Sequence, residues 1–336
     1  MSPSSPSSPP TLRRIAAVVV LVPVLVALAL WAFAWPAART APRDLPLGVA
    51  GPAAAAAPLE QRLERQQGAF ELHRYADETA AREAVEEREV YGAVVAAERG
   101  PKLLVATAAS PVVAQLLQQA VTRQAEASGS RVTTVDVVPA AERDPRGAIM
   151  NASVLPLALA GIGAGTAVTM LGLRGVRAVV ALTGSAALVG AVAAALTHSW
   201  LEAVPGNWWA LAGTFALAAL AVGAAVSGLA ALLGQAGIAL GGLVIMLLGN
   251  PFSGASSAPE LLPEPAGAIG QWLPPGAGVS LLRSVSFFDG AAVTGPALTL
   301  AWWAALGLGA VLLADALKEH ARKAEPAADR DPALAG

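Results

Sequence analysis

Cysteine is absent from the 336 residues, which excludes disulfides, thiolate metal sites and thiol nucleophiles and leaves the redox compartment unread. Charge is scarce too: Asp, Glu, Lys and Arg make up 14% of the chain, against about 25% in an average soluble domain. Lysine is rarest among the charges, three against 19 arginines. None of Lys102, Lys318 and Lys323 closes the Gly-Lys-Ser/Thr pattern of a phosphate-cradling loop, so the chain carries no nucleotide-driven motor of that kind. His73, His198 and His320 stand far apart, which argues against a metal site or a catalytic base among them. A formal net charge of -2 gives no electrostatic reason to expect nucleic acid. No cofactor and no enzymatic activity are implied.

What is present is an uneven map of charge. Of the 46 charged residues, two (Arg13 and Arg14) precede position 15, 28 lie between 37 and 148, seven lie between 149 and 314, and nine follow. Seven charges in 166 residues are too few to solvate the surface of a globular domain. The pattern therefore excludes a soluble enzyme and predicts an α-helical polytopic membrane protein carrying one small, charge-rich α/β domain.

Six apolar stretches can serve as crossings: 15–36, about 149–171, 178–197, 208–232, 236–250 and 296–314. The first follows a Ser/Pro-rich tail within 1–14; its 21 uncharged residues from Ile15 to Trp35 span roughly 32 Å as a helix, enough for the hydrocarbon core. A cleavable signal peptide is the rival reading there, since Ala32-Phe33-Ala34 offers small residues before a cut. With six crossings, Arg13, Arg14, Arg174, Arg177, Lys318 and Arg322 all fall on one side, which the positive-inside rule makes the cytoplasm, with both termini there. The opposite linker, 198–209, lacks Lys and Arg and carries three tryptophans, as an outer interface belt would.

The fifth stretch is short and ends at Asn250-Pro251. The Pro/Gly-rich residues 251–295 beyond it carry only Glu260, Glu264, Arg283 and Asp289, and read as an outer re-entrant segment. A short helix is expected from Ala277 to Phe288, on or dipping into the outer leaflet. Interrupted hydrophobic segments point to transport pathways, so Asn250, Pro251, Arg283 and Asp289 are the candidate pathway or gating residues; a lipid-facing loop with a snorkelling Arg283 and a turn at Asp289-Gly290 is the bland alternative. Gly161-Ile-Gly163-Ala-Gly165 follows no strand and is no dinucleotide fingerprint; with Gly237 and Gly241 it reads as close helix packing.

Within 37–148, strand-like runs at 45–50, 91–97, 102–107 and 132–138 alternate with helical runs at 58–70, from Asp77 to Glu89 and from Ser110-Pro111 onward. Helices on a mostly parallel sheet are expected, placed outside the cytoplasm between the first two crossings. The region has no acid cluster or His pair, so binding or scaffolding suits it better than catalysis.

Four runs, Val90-Tyr-Gly-Ala93, Leu104-Val-Ala-Thr-Ala-Ala-Ser110, Leu273-Pro-Pro-Gly-Ala277 and Leu282-Arg-Ser-Val-Ser-Phe-Phe-Asp-Gly290, complete a layout that resembles the membrane subunits of type-2 ABC exporters. Among these it is similar to bacterial proteins related to the phage infection protein family, over most of residues 12–318. The resemblance implies a plasma-membrane permease subunit moving an amphipathic or hydrophobic substrate, a separate ATPase subunit as partner, and a homodimer. The loop at 172–176 is short for an element that an ATPase would grip. The other reading is a membrane-anchored surface protein whose extracytoplasmic domain binds a phage, a secretion component or an envelope polymer.

Overall fold

The computed structural model describes residues 10–66, 68–97, 100–127 and 129–324, with residues 10 and 322–324 described by backbone alone. Of the expected tails, 1–14 and 315–336, residues 1–9 and 325–336 lie outside the described residues, as do residues 98–99 and the side chain of Arg322, while 10–14 and 315–324 continue the first and last helices.

The chain opens with α1 (Pro10–Ala38), a helix whose apolar residues are turned outward along most of its length. The α/β unit follows as β1 (Leu45–Ala50), α2 (Ala53–Glu64), β2 (Phe70–Tyr75), α3 (Glu78–Glu86), β3 (Gly92–Val95), β4 (Lys102–Val105), α4 (Pro111–Ala127) and β5 (Thr133–Asp136). The strands form one mixed sheet in the order β2-β1-β3-β4-β5, parallel except for the β3–β4 hairpin. Local chemistry sets the helix starts. The Asp77 carboxylate accepts from the Ala80 N–H at 3.0 Å to cap α3, and Ser110 Oγ accepts from the Val113 N–H at 3.2 Å to begin α4. Edge strand β2 lacks the near-continuous burial of β1, because half-exposed Phe70-Glu-Leu-His-Arg-Tyr75 lies at the sheet border. The preceding helix ends at Glu64, short of the expected Phe70, because the chain turns at Gly68 with φ +72°.

The remaining helices are α5 (Ala148–Met170), α6 (Gly175–Ala194, continued by a π turn at Ala195–Trp200), α7 (Trp208–Leu233), α8 (Gln235–Leu243, continued by a π turn at Val244–Gly249), α9 (Ala266–Trp272), α10 (Pro274–Phe287) and α11 (Thr294–Ala324). Five helices (α1, α5, α6 with its π turn, α7 and α11) are long and apolar enough to cross a membrane, as in a multi-pass membrane protein. The fifth expected stretch is a short apolar helix, Gln235–Gly249, about 22 Å long at 1.5 Å per residue.

Helix α7 is central, packed against α5, α6 and α11. Small residues let these helices approach: a methyl group added at Gly161 would meet Val222 Cβ at 2.6 Å, and one at Gly165 would meet Gly223 O at 2.7 Å. Gly237 lies against the Leu229 carbonyl and Gly241 against Val226, so α8 folds back tightly along α7 after Gly234. Gly249, at the end of this hairpin, abuts Pro275 at the start of α10. Ten of the 14 residues of α10 are buried, so this helix is enclosed by protein rather than laid on a surface.

The α/β unit does not close its own core. Ala258 and Leu261, from the loop between α8 and α9, are fully buried among Leu45, Leu47, Val49 and Val94. Phe288, just past α10, fills a second cluster with Ala84, Val85 and Val90.

Candidate functional site

Arg88 follows the end of α3 in the left-handed region, φ +62°, where the Glu89 N–H donates back to Ala84 O at 2.9 Å. Glycine is the usual occupant of such a position, and a residue with a Cβ sits there at a cost of roughly 1 kcal/mol. The arrangement swings the Arg88 side chain onto α10. Its Nη1 donates to Ser280 O at 2.9 Å and to Ser284 Oγ, and its guanidinium carbon stands 5.1 Å from the centre of the Phe288 ring.

Glu260 arrives from the other side, on the short 3₁₀ turn Pro259–Leu261. Burial of Leu261 pins that turn. The linker after α1 secures it further: Ala41 N–H donates to Leu261 O at 3.1 Å and Arg43 N–H to Glu260 O at 2.9 Å. Tyr91, at the foot of β3, donates its hydroxyl to Glu260 Oε2 at 2.8 Å. Arg283, on α10 and 3% exposed, donates from Nη2 to Ala255 O at 2.6 Å, while its buried Nε has no partner among the described residues. Ser280 Oγ donates to Gln271 Oε1 at 2.6 Å, and Gln271 Nε2 donates to Ser253 O at 3.1 Å.

These groups line a cavity of about 890 Å³ between the α/β unit and α9–α11. Its charged lining is Arg88, Arg283, Glu260 and the exposed Glu89, two cations and two carboxylates, and no ion pair within 4 Å joins them among the described residues. Its walls are mostly apolar, with Trp272, Trp302, Trp303 and Leu298 prominent. Leu298 and Trp302 are 64% and 66% exposed, so the groove opens sideways along α11. The Trp303 Nε1–H donates to Trp272 O at 2.7 Å and ties α11 to α9 beneath the opening.

Burial raises the Tyr91 hydroxyl well above its ordinary range, and the Glu260 charge and hydrogen bond push the same way against the two arginines. Arg88 is lowered by burial, offset in part by Tyr91 and Glu260; an arginine starts high enough to remain a cation at neutral pH. Nearby, Tyr75 is pushed up to about 12 by burial and by its 3.2 Å hydrogen bond to Glu89. This chemistry suits recognition of a ligand with an apolar body and a polar end.

Of the four pathway residues expected from sequence, Arg283 alone lines the groove. Asn250 and Pro251 sit at the end of the π turn, where Asn250 N–H donates to Ile245 O at 3.0 Å and Asn250 O accepts from Ser253 Oγ at 2.7 Å. Asp289 is exposed at φ +48°, forming the turn with Gly290. Arg174 and Lys318 come together at a smaller cavity of about 230 Å³ between the ends of α5, α6, α7 and α11, with Arg177 exposed nearby and Arg13 and Arg14 exposed on α1. Sequence reasoning missed Arg88, Tyr91 and Gln271. Arg88 is hidden in the charged run Arg82–Glu89, and only its positive φ separates it from solvated neighbours. The described histidines are apart: His73 faces Glu71 at 3.5 Å, His198 Nδ1 contacts Val204 O and His320 Nδ1 contacts Ala316 O, each at 2.9 Å. Comparison of the chain with family models, curated proteins and solved structures finds no match.

Proposed function

We propose that this chain is a membrane permease that takes an amphipathic or hydrophobic molecule into the groove beside α11. The observation that carries the reading is the cavity itself: large, mostly apolar, and open sideways at Leu298 and Trp302, on a helix apolar enough to lie in a bilayer. In this reading the five long helices and the short Gln235–Gly249 helix make six crossings of a bacterial plasma membrane. Both termini are cytoplasmic, and the α/β unit is an extracytoplasmic insert. The basic residues Arg13, Arg14, Arg174, Arg177, Lys318 and Arg322 support that orientation. The stop of α8 against Pro275 supports a broken crossing, the feature from which membrane transporters build substrate sites. Energy would come from a separate ATPase subunit, as in the type-2 ABC exporters that the chain resembles, and the permease would work as a homodimer.

The test is photo-crosslinking of an amphiphile carrying a diazirine on its chain, in membranes containing the full-length protein, followed by peptide mapping. Labelling is expected at 298–303 and to fall on Trp302→Ala; labelling confined to the outward faces of α5 and α6 would overturn the groove reading. Co-purification of an ATPase from the native membrane is the expected companion result, and its absence together with unchanged efflux on deletion of the gene would overturn the exporter assignment.

The second reading, a surface protein that binds a partner through the α/β unit, is favoured by strand β5. It ends the sheet with three of its four residues exposed, a free edge that another chain can pair with. Thr134→Pro should abolish such binding without changing the amphiphile crosslinks.

A further inference from the structure

The floor of the groove is electrostatically incomplete. Arg283 is 3% exposed, yet its guanidinium has one carbonyl acceptor, Ala255 O, and its Nε has none among the described residues. Burial disfavours the Arg283 charge and nearby Arg88 adds to that, while Arg88 Nη1 donates to Ser280 O and Ser284 Oγ and its guanidinium lies over the face of Phe288. Of the two carboxylates in the lining, Glu260 accepts from Tyr91 and the exposed Glu89 accepts from Tyr75, and neither is within ion-pair distance of Arg88 or Arg283. Removing a cation from water without a counter-charge costs several kcal/mol. A buried Arg283 with the half-buried Arg88 beside it calls for an anion. The cavity supplies room for one, and its lining includes the exposed apolar side chains of Leu298 and Trp302 on α11.

Resting on the permease reading above, we propose that the groove selects an amphiphile by a net-negative phosphate-ester headgroup. The phosphate oxygens accept from the Arg283 guanidinium and face Arg88, and the acyl chains leave along α11 past Leu298 and Trp302. Guanidinium groups suit this role because their planar donors match phosphate oxygens and stay charged. The apolar walls supply affinity without regard to headgroup, so the arginines act on discrimination more than on total binding.

Native mass spectrometry of the full-length protein in detergent tests this with three probes: phosphatidylglycerol, phosphatidylcholine with the same chains, and inorganic phosphate. Phosphatidylglycerol should be retained about tenfold better than phosphatidylcholine, the scale of one charge-assisted hydrogen bond. The Arg283→Gln variant should bring that ratio close to one, and Arg283→Lys should restore part of it. Trp302→Ala should lower retention of both lipids and leave their ratio in place. The ratio is read first on the unsubstituted protein, so a variant that fails to fold does not shield the proposal. Equal retention of the two lipids, with crosslinks still at 298–303, overturns the headgroup assignment and leaves the permease reading standing. Inorganic phosphate that displaces phosphatidylglycerol at equal concentration assigns the site to free phosphate and also overturns it. Loss of every lipid crosslink at the groove removes both.

Discussion

Gly161 and Gly163 are two residues apart on the same helix, and their surroundings make opposite demands. An added methyl group at Gly161 would drive into Val222 and the Ala219 carbonyl on α7, whereas at Gly163 it would meet nothing within 4 Å. Gly161→Ala should therefore destabilise the detergent-solubilised protein by about 1–3 kcal/mol through overpacking, while Gly163→Ala should be neutral or slightly stabilising. Thermal unfolding of the two variants side by side measures the difference; equal midpoints would mean that α5 and α7 do not meet there. The two tyrosines offer a second residue-scale test. Both phenols are raised above the ordinary range, so their neutral forms are favoured in the fold. Tyr75 then adds stability below its ordinary value near 10 that is lost as pH rises toward about 12. A phenolate absorbance titration should show no step near pH 10 and a Tyr75 step near 12. Tyr91 should ionise only as the protein unfolds, and Tyr91→Phe should remove that last step. A step near pH 10 in the folded protein would contradict the Tyr91–Glu260 bond.

Elements here are held by partners distant in sequence. The turn Pro259–Leu261 is three residues long and would have no fold of its own. Leu261 anchors it by entering the core between the sheet and its helices, and Glu260 is thereby presented to Tyr91. Leu261→Ala should cost about 2–5 kcal/mol, as removal of a fully buried leucine does, and should unlatch the α/β unit from α9–α10. Hydrogen exchange would locate the loosening in β1, β3 and residues 258–272; exchange confined to the turn would show that the unit is self-sufficient. Helix α10 was legible from sequence as a short helix at 277–288, and its start at Pro274 follows from two prolines placed where the first turn needs no N–H donor. Its burial was not legible. The apolar spacing at 279, 281, 282, 285 and 288 describes one wet and one dry face, but α5, α7 and α11 cover the remainder. For the same reason the sequence left a pathway role and a snorkelling side chain both open for Arg283, whereas it is enclosed.

At the scale of the whole molecule, the absence of cysteine makes orientation directly measurable. Single cysteines at the exposed positions Ala55 and Ser256 should react with an impermeant maleimide on intact cells. Cysteines at Val176 and Gln235 should react only after permeabilisation. Positions 235 and 256 bracket the short helix; equal labelling of both would reduce the proposed six crossings to five. The charge map in the sequence determined much by itself. Long uncharged stretches can satisfy their backbone only as helices in an apolar surrounding, so the apolar helices and the separate α/β unit follow from composition and period, as do the capped starts of α3 and α4. What the tertiary structure decided is which distant residues share a volume. Arg88, Tyr91, Glu260 and Arg283 lie up to 195 positions apart by subtraction of their numbers. No local pattern marks them, because a buried charged group is set by what packs around it and not by its neighbours in the chain. The groove exists only because Ala258, Leu261 and Phe288 complete the core of a unit encoded some 150 residues earlier, closing a roof over α9–α11 that no segment could form alone.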